Sequence, residues 1–190
     1  ERSFAALAAR DGVVPVEVAY DELLARGGKG LLYLPFANYA DRDFASIREM
    51  LLHPHTVPGL GDAGAHCGMI CDGTMPTYLL AHWGRDVEDP LPLEWLVGQQ
   101  TRETARLVGL HDRGVLAPGY RADLNLIDEA RLGILAPEVV QDLPAGGTRY
   151  LQQATGYVAT VQSGQVTFRD GEPTGVLPGR LVRGAQPAPA

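Results

Sequence analysis

The stretch that decides the fold of this chain is HPHTVPGLGDAGAHCGMICDGTMP, residues 53–76. It holds three of the five histidines, both cysteines and two aspartates, set between glycines and short apolar runs. Its TVPGLGD portion predicts a short strand that runs into glycines at residues 56–62. Histidine, cysteine and aspartate are also the side chains that bind zinc, so the stretch is a candidate metal site, part of one, or a polar glycine-rich turn.

The residues on both sides of this stretch alternate between strand and helix patterns. The apolar run GLLYLPFANY predicts a buried strand at residues 30–39. Helices are predicted before it, from Pro15 to the Gly27–Gly28 pair, after an aspartate near residue 43, and again over residues 75–83 and 93–110. Alternation of this kind is typical of a parallel α/β sheet with crossover helices. Only about two strands are present, too few for a stable parallel sheet.

The pattern changes to β after residue 113. An alternating strand is predicted over residues 122–127, and GYVATVQSGQVTFRDGEPTG predicts a hairpin that turns at Ser163–Gly164. The final RGAQPAPA is rich in small residues and proline, which favours disorder. We therefore predict an α/β part over residues 1–112, a small β-domain over residues 113–182 and a disordered tail over residues 183–190.

Composition excludes several classes of protein. The chain has 190 residues, a net charge of −7 and 45% hydrophobic residues, which indicates a globular protein and argues against nucleic acid or an anionic membrane as a partner. Two cysteines are too few for a disulfide scaffold, which favours a reduced, cytoplasmic setting. Because the chain begins at Glu1 without an initiator Met, we expect it to be a fragment.

Asp62 is the strongest candidate for chemistry in the opening stretch. If its strand belongs to a β/α barrel, the side chain points into the mouth where barrel enzymes bind their substrates. A carboxylate there can bind zinc through oxygen and can take a proton from water. The structural alternative is that Asp62 caps the following turn by accepting backbone N–H groups.

The other polar residues of the stretch carry weaker hypotheses. His66 can share the mouth with Asp62, or can be an ordinary loop residue that forms hydrogen bonds. His53 and His55 have the spacing of a zinc-binding HxH pair, but they follow a predicted helix instead of ending a strand. A local zinc site of Asp62, His66, Cys67 and Cys71 has suitable donors, although structural zinc sites use two paired clusters and only one is present.

These segments together resemble the carboxyl-terminal part of the amidohydrolase superfamily, specifically the N-acyl-D-amino-acid deacylase (D-aminoacylase) family. HPHTVPGLGDAGAH is similar to the last strand of the barrel, and TRETARLVGLHDRGVLAPGYRADLNLID to the final helix and the start of the small β-domain. The G-x-L-x-P-G-x-x-A-D-L pattern is specific for the superfamily. The ending DGEPTG…PGRLVRG is similar to the D-aminoacylase group.

The resemblance implies a fold and a reaction. The fold would be the last strands and helices of a (β/α)8 amidohydrolase barrel, plus part of a small flanking β-domain. Asp62 would be the catalytic residue and a ligand of zinc, and would pass a proton from the attacking water to the leaving amine, while His66 would contact substrate. Most zinc ligands would lie on earlier barrel strands outside this chain, so the 190 residues alone are expected to be inactive.

The implied substrate is an N-acyl-D-amino acid or a related amide. Relatives often carry a serine before the aspartate and an arginine soon after the histidine, where this chain has Gly61 and Cys67-Gly68-Met69. Two alternatives therefore stay open: a cyclic amidohydrolase of the dihydroorotase or hydantoinase kind, and a non-catalytic piece that folds only with a partner chain. Expected partners are the small-molecule substrate, the remainder of the barrel and further copies of the same chain.

Overall fold

The structure is a computed structural model that describes residues 2–35 and 37–189. The chain divides into two compact units, Glu1–Leu52 and His53–Ala190. The predicted boundary between an α/β part and a small β-domain, at residues 112 and 113, falls inside the second unit. That boundary stays a prediction.

The first unit is helical, and its helix ends follow the sequence signals. The helices are α1 (Phe4–Asp11), α2 (Pro15–Gly28) and α3 (Ala45–Leu52). As predicted, α2 begins at Pro15, whose missing N–H costs nothing in a first turn, and leaves helical geometry at residues 25–27 beside the glycine pair. The carboxylate of Asp43 accepts the N–H of Ala45 at 2.9 Å, which caps the start of α3 as expected of an aspartate there.

The second unit begins with helices that hold the hydrophobic core. They are α4 (Met75–Ala81), which continues in a π-helical turn (His82–Asp86), and α5 (Leu93–Gly98), which continues through a second π-helical turn (Gln99–Glu103) into α6 (Thr104–Leu107). The buried apolar side chains come from these helices and from the loops beside them: Leu79, Ala81, Trp83, Leu91, Leu96 and Leu132. Gly109 ends the helical region with a φ of 76°, in the left-handed region that glycine adopts without strain.

The remainder of the second unit is antiparallel β-structure. Its strands are β1 (Leu124–Ile127), β2 (Gly133–Ile134), β3 (Glu138–Leu143), β4 (Gly147–Leu151), β5 (Ala154–Thr155), β6 (Tyr157–Gln162), β7 (Gln165–Arg169) and β8 (Glu172–Pro173). One sheet has the order β1-β6-β7-β8, and β2 pairs with β5 and β3 with β4. The hairpin predicted at Ser163–Gly164 is confirmed. Both turn residues have positive φ, 52° and 76°, as a two-residue hairpin turn requires.

The two strands predicted in the α/β part do not form. Residues 31–35 and 56–62 have extended or irregular backbone without ladder pairing, and Phe36 lies outside the described residues. The physical reason is that a parallel strand needs neighbouring strands for its N–H and C=O groups, and no strand occurs in the described part of the chain before β1. The architecture is therefore mixed α/β, without the last strands of a barrel that the sequence predicted.

The end of the chain meets the helical region. Gln186 lies in the tail for which we predicted disorder. Its backbone carbonyl accepts the N–H of His111 at 2.9 Å, and its backbone N–H donates to the carbonyl of Gly109 at 2.8 Å. Ala190 lies outside the described residues. Among the helices that the structure describes, none is long and apolar enough to cross a bilayer.

Replacing Leu96 by Ala should lower the free energy of unfolding by about 2–5 kcal/mol, because its side chain fills the core and leaves a cavity when truncated. Leu96 is 2% exposed, whereas Leu116 is 89% exposed, which makes Leu116→Ala the matched control. Urea unfolding of the chain measures both variants, and the control should change by less than about 0.5 kcal/mol. Equal losses would contradict the core described here.

Acid should remove the stabilisation contributed by Asp142. Two hydrogen bonds from the Arg149 guanidinium, at 2.8 and 2.7 Å across β3 and β4, hold the pKa of this carboxyl below its ordinary value. Since the folded pKa is depressed, the contribution is present above the unfolded pKa and is lost as pH falls through the folded one, below about pH 4.

The measurement is the difference in unfolding free energy between wild type and Asp142→Asn from pH 7 to pH 2. The difference for Asp142→Asn should be constant near neutrality and become smaller in acid. Glu172→Gln, at an exposed carboxylate of β8, is the control variant. A difference for Asp142→Asn that does not depend on pH would rule out this ion pair.

Candidate active site

Asp62 lies on an exposed loop and not at the end of a strand. Its carbonyl accepts the N–H of Ala65 at 3.0 Å, which starts a run of turns over residues 63–69. Its backbone N–H donates to the Asp72 carboxylate, with 3.2 Å between the nitrogen and Oδ2. Among the described residues, no hydrogen bond engages the carboxylate of Asp62 itself. The carboxylate that accepts a backbone N–H in this loop is therefore that of Asp72, and Asp62 is exposed.

Small residues allow the two ends of this loop to touch. A Cβ built on Gly61 would lie 2.9 Å from the carbonyl oxygen of Asp72, closer than real Cβ atoms approach a backbone oxygen. A Cβ on Gly73 would lie 3.3 Å from that of Ala63. These small residues therefore allow the chain to close on itself.

His66 lies at the tip of the same loop. Its φ of 50° is in the left-handed region, where histidine is found more often than most residues that have a side chain. Its carbonyl accepts the N–H groups of Met69, at 2.7 Å, and Ile70, at 3.1 Å, so its backbone shapes the turn. The side chain is exposed. A role in binding substrate stays a prediction.

The loop is anchored on the β-structure of the same unit. The carbonyl of Cys67 accepts the N–H of Tyr150 in β4 at 2.8 Å. Beyond Asp72, the buried hydroxyl of Thr74 donates to Gln152 Oε1, and the hydroxyls of Thr77 and Tyr157 are hydrogen-bonded at 2.8 Å. The segment that carries Asp62 is therefore fixed at its middle and at its downstream end.

Arg85 is a further anchor. In the structure the Arg85 guanidinium donates to the carbonyls of Glu129, at 2.7 Å, and Leu132, at 2.9 Å, and also pairs with the Asp86 carboxylate. That last hydrogen bond is the main cause that raises the pKa of Arg85 above its ordinary value. Only tertiary contacts, which lie 44 and 47 residues away in sequence, reveal this role.

The local zinc site of Asp62, His66, Cys67 and Cys71 does not form. Within the described residues, no three His, Cys, Asp or Glu side chains gather as a metal ion requires. Burial, followed by the neighbouring Asp72 charge, raises the pKa of the Cys71 thiol. A role for Asp62 as a metal ligand stays a prediction.

His53 and His55 are placed as the sequence predicted. They directly follow α3, both are exposed, and the N–H of His55 donates to His53 Nδ1 at 3.3 Å. Their ring centroids are 5.5 Å apart. The pair shapes a turn after the helix and is not the strand-ending HxH of a metal centre.

Comparison with known proteins identifies the family. The profile of the Amidohydrolase family matches residues 2–168, which is most of the chain. The chain belongs to the amidohydrolase family. This confirms the superfamily inferred from the sequence pattern, whereas the narrower D-aminoacylase assignment is not shown.

Two curated relatives are imidazolonepropionases. The protein from Ruegeria pomeroyi is 38% identical over 114 residues, which is 60% of this chain and 27% of the relative. The protein from Paracoccus denitrificans is 35% identical over 136 residues, which is 65% of this chain and 32% of the relative. The chain therefore spans about a third or less of the length of these relatives. No solved structure matches it significantly.

Proposed function

We propose that this chain is the part of a metal-dependent amidohydrolase that supplies the proton-transferring carboxylate, Asp62, and that the whole enzyme opens the amide bond of a cyclic substrate. The observation that supports the proposal best is the exposed, unengaged Asp62 carboxylate on a doubly anchored loop, within the residues matched by the family profile.

The substrate class rests on two further observations. The relatives are named imidazolonepropionases, which act on a cyclic amide. The residues after His66 are Cys67, Gly68 and Met69, so the loop lacks an arginine there to grip the free carboxylate of an acyl amino acid. An N-acyl-D-amino acid is the second candidate, because the ending DGEPTGVLPGRLVRG at residues 170–184 resembles the D-aminoacylase group.

Asp62 has two tasks in this reaction. Its carboxylate accepts a proton as water attacks the amide carbonyl carbon, and it donates that proton to the nitrogen as the C–N bond breaks. An exposed carboxylate suits the first task, because solvent and substrate can reach its oxygens. The products are a carboxylate and an amine, joined in one molecule when the substrate is cyclic.

Zinc is the metal that we propose for the whole enzyme. When bound, such an ion polarises the amide carbonyl and makes water more acidic. Asp62 is the residue of this chain that would bind it, since a carboxylate oxygen is an accepted zinc ligand. The remaining ligands would come from the rest of the enzyme.

Substituting Asp62 by Asn should lower kcat by at least about 100-fold, because the amide cannot carry the proton. The measurement is hydrolysis by the full-length enzyme with zinc, on a panel of cyclic amides and N-acyl-D-amino acids. Glu88→Gln, an exposed carboxylate of the loop after the π-helical turn, is the matched control and should keep wild-type activity.

The panel also separates the candidate functions. Cyclic amides should be hydrolysed in preference to acyl amino acids, and the opposite preference would favour the D-aminoacylase assignment. The isolated 190-residue chain should be inactive with zinc. Full-length protein that hydrolyses nothing with any metal would favour a non-catalytic piece that pairs with a partner chain.

A further inference from the structure

The carboxylate of Asp72 holds the backbone of Asp62 from ten residues away. The N–H of Asp62 donates to Asp72 Oδ2, with 3.2 Å between the two atoms. Since the peptide plane at residue 62 determines where its Cβ emerges, this bond bears directly on the position of the Asp62 carboxylate.

The packing around the bond is close. The 2.9 Å between a Cβ built on Gly61 and the Asp72 carbonyl oxygen leaves no space for a side chain at residue 61. Ala63 and Gly73 meet in the same way on the next residue of each segment. Residues 61–63 and 72–73 therefore form one contact, in which the Asp72 side chain supplies the polar link.

Asp72 is itself fixed to the rigid part of the unit. It begins the 3-10 turn Asp72–Thr74, which leads directly into α4. Thr74 is buried, and its hydroxyl donates to Gln152, whose own amide donates to the carbonyl of Leu135 at 3.0 Å. Thr74 is thus hydrogen-bonded to the β-structure, and two residues before it along the chain Asp72 accepts the N–H of Asp62.

We infer that Asp72 is a positioning residue for the amide-hydrolysing reaction: it holds Asp62 by its N–H, so that the Asp62 carboxylate meets substrate in one orientation. This inference rests on the proposed function of Asp62. Asp72 does not touch substrate or carry the proton. Its oxygen needs only to accept a hydrogen bond, which an asparagine at the same position can also do.

The experiment compares Asp72→Ala with Asp72→Asn in the full-length zinc enzyme. Asp72→Ala should lower kcat by about 10- to 100-fold with little change in KM, as expected when the support of an active-site ligand is lost. Asp72→Asn should retain most of the activity, because its Oδ1 accepts the same N–H. Glu88→Ala, at an exposed position of the same unit, is the matched control for loss of a carboxylate.

Gly61→Ala provides an independent route to the same defect. Its added Cβ pushes residue 72 away without removing the carboxylate, so kcat should fall as it does in Asp72→Ala. Since both changes break one contact, the double variant should lose little more than either single variant. Multiplicative losses would mean that the two residues act separately and would overturn the inference.

Amide hydrogen exchange at Asp62 tests the hydrogen bond to Asp72 independently of enzymatic activity. Asp72→Ala should speed exchange at this amide by about tenfold or more, and Asp72→Asn should not. Unchanged exchange in Asp72→Ala would overturn the inference even if the enzyme hydrolyses amides as proposed. If Asp72→Asn is as inactive as Asp72→Ala, Asp72 carries charge or a proton instead of positioning Asp62, and the inference is wrong.

Failure of the proposed function has a different signature. In that case the wild-type enzyme hydrolyses no amide, or Asp62→Asn stays active. Suppose that Asp62→Asn is inactive and that Asp72→Ala speeds exchange of the Asp62 amide but leaves kcat unchanged. The proposed function is then supported, and the positioning role of Asp72 is wrong.

Discussion

Two buried hydroxyls determine how the second unit is built. Thr74 and Thr77 lie at the start of α4 and are buried, Thr77 to 3% exposure. A buried hydroxyl without a partner costs free energy, so each must find one. Both partners come from the segment around β5, namely Gln152 and Tyr157. This constraint sets the register of α4 against the β-structure, and the loop of Asp62 follows from where α4 begins.

The apolar core strengthens the same arrangement from the other end of α4. Leu79, Trp83 and Leu96 of α5 are all buried. Arg85, in the π-helical turn, donates hydrogen bonds to the carbonyls of residues 129 and 132. Helix, strands and loop are therefore held together by packing at one end and by hydroxyl hydrogen bonds at the other. The backbone of the Asp62 loop is held by these contacts although the loop contains no regular secondary structure.

Local signals in the sequence were sufficient for local structure. Pro15, Asp43 and Gly109 mark helix ends because their effects act within one turn of the backbone. The Ser163–Gly164 hairpin follows from residues that accept positive φ. The strands expected at residues 30–39 and 56–62 do not form, because a parallel strand needs neighbouring strands as hydrogen-bond partners. In the described part of the chain, no strand pairs with these segments.

The site was predictable in part for the same reason. The family follows from a linear pattern, and the profile match over residues 2–168 confirms it. The closure of the Asp62 loop by Asp72 could not be predicted, because the hydrogen bond joins residues that are ten positions apart in irregular backbone. The role of Arg85 could not be predicted, because its acceptors are backbone carbonyls that lie 44 and 47 residues away in sequence.

A crystal structure of the full-length protein with zinc, in which anomalous scattering locates the metal, tests the proposed role of Asp62. We expect a zinc ion bound by an Asp62 carboxylate oxygen at about 2.0–2.2 Å, with the other ligands from outside this chain. A zinc ion bound at the catalytic centre without Asp62, or an Asp62 carboxylate directed into solvent away from the metal, would contradict it.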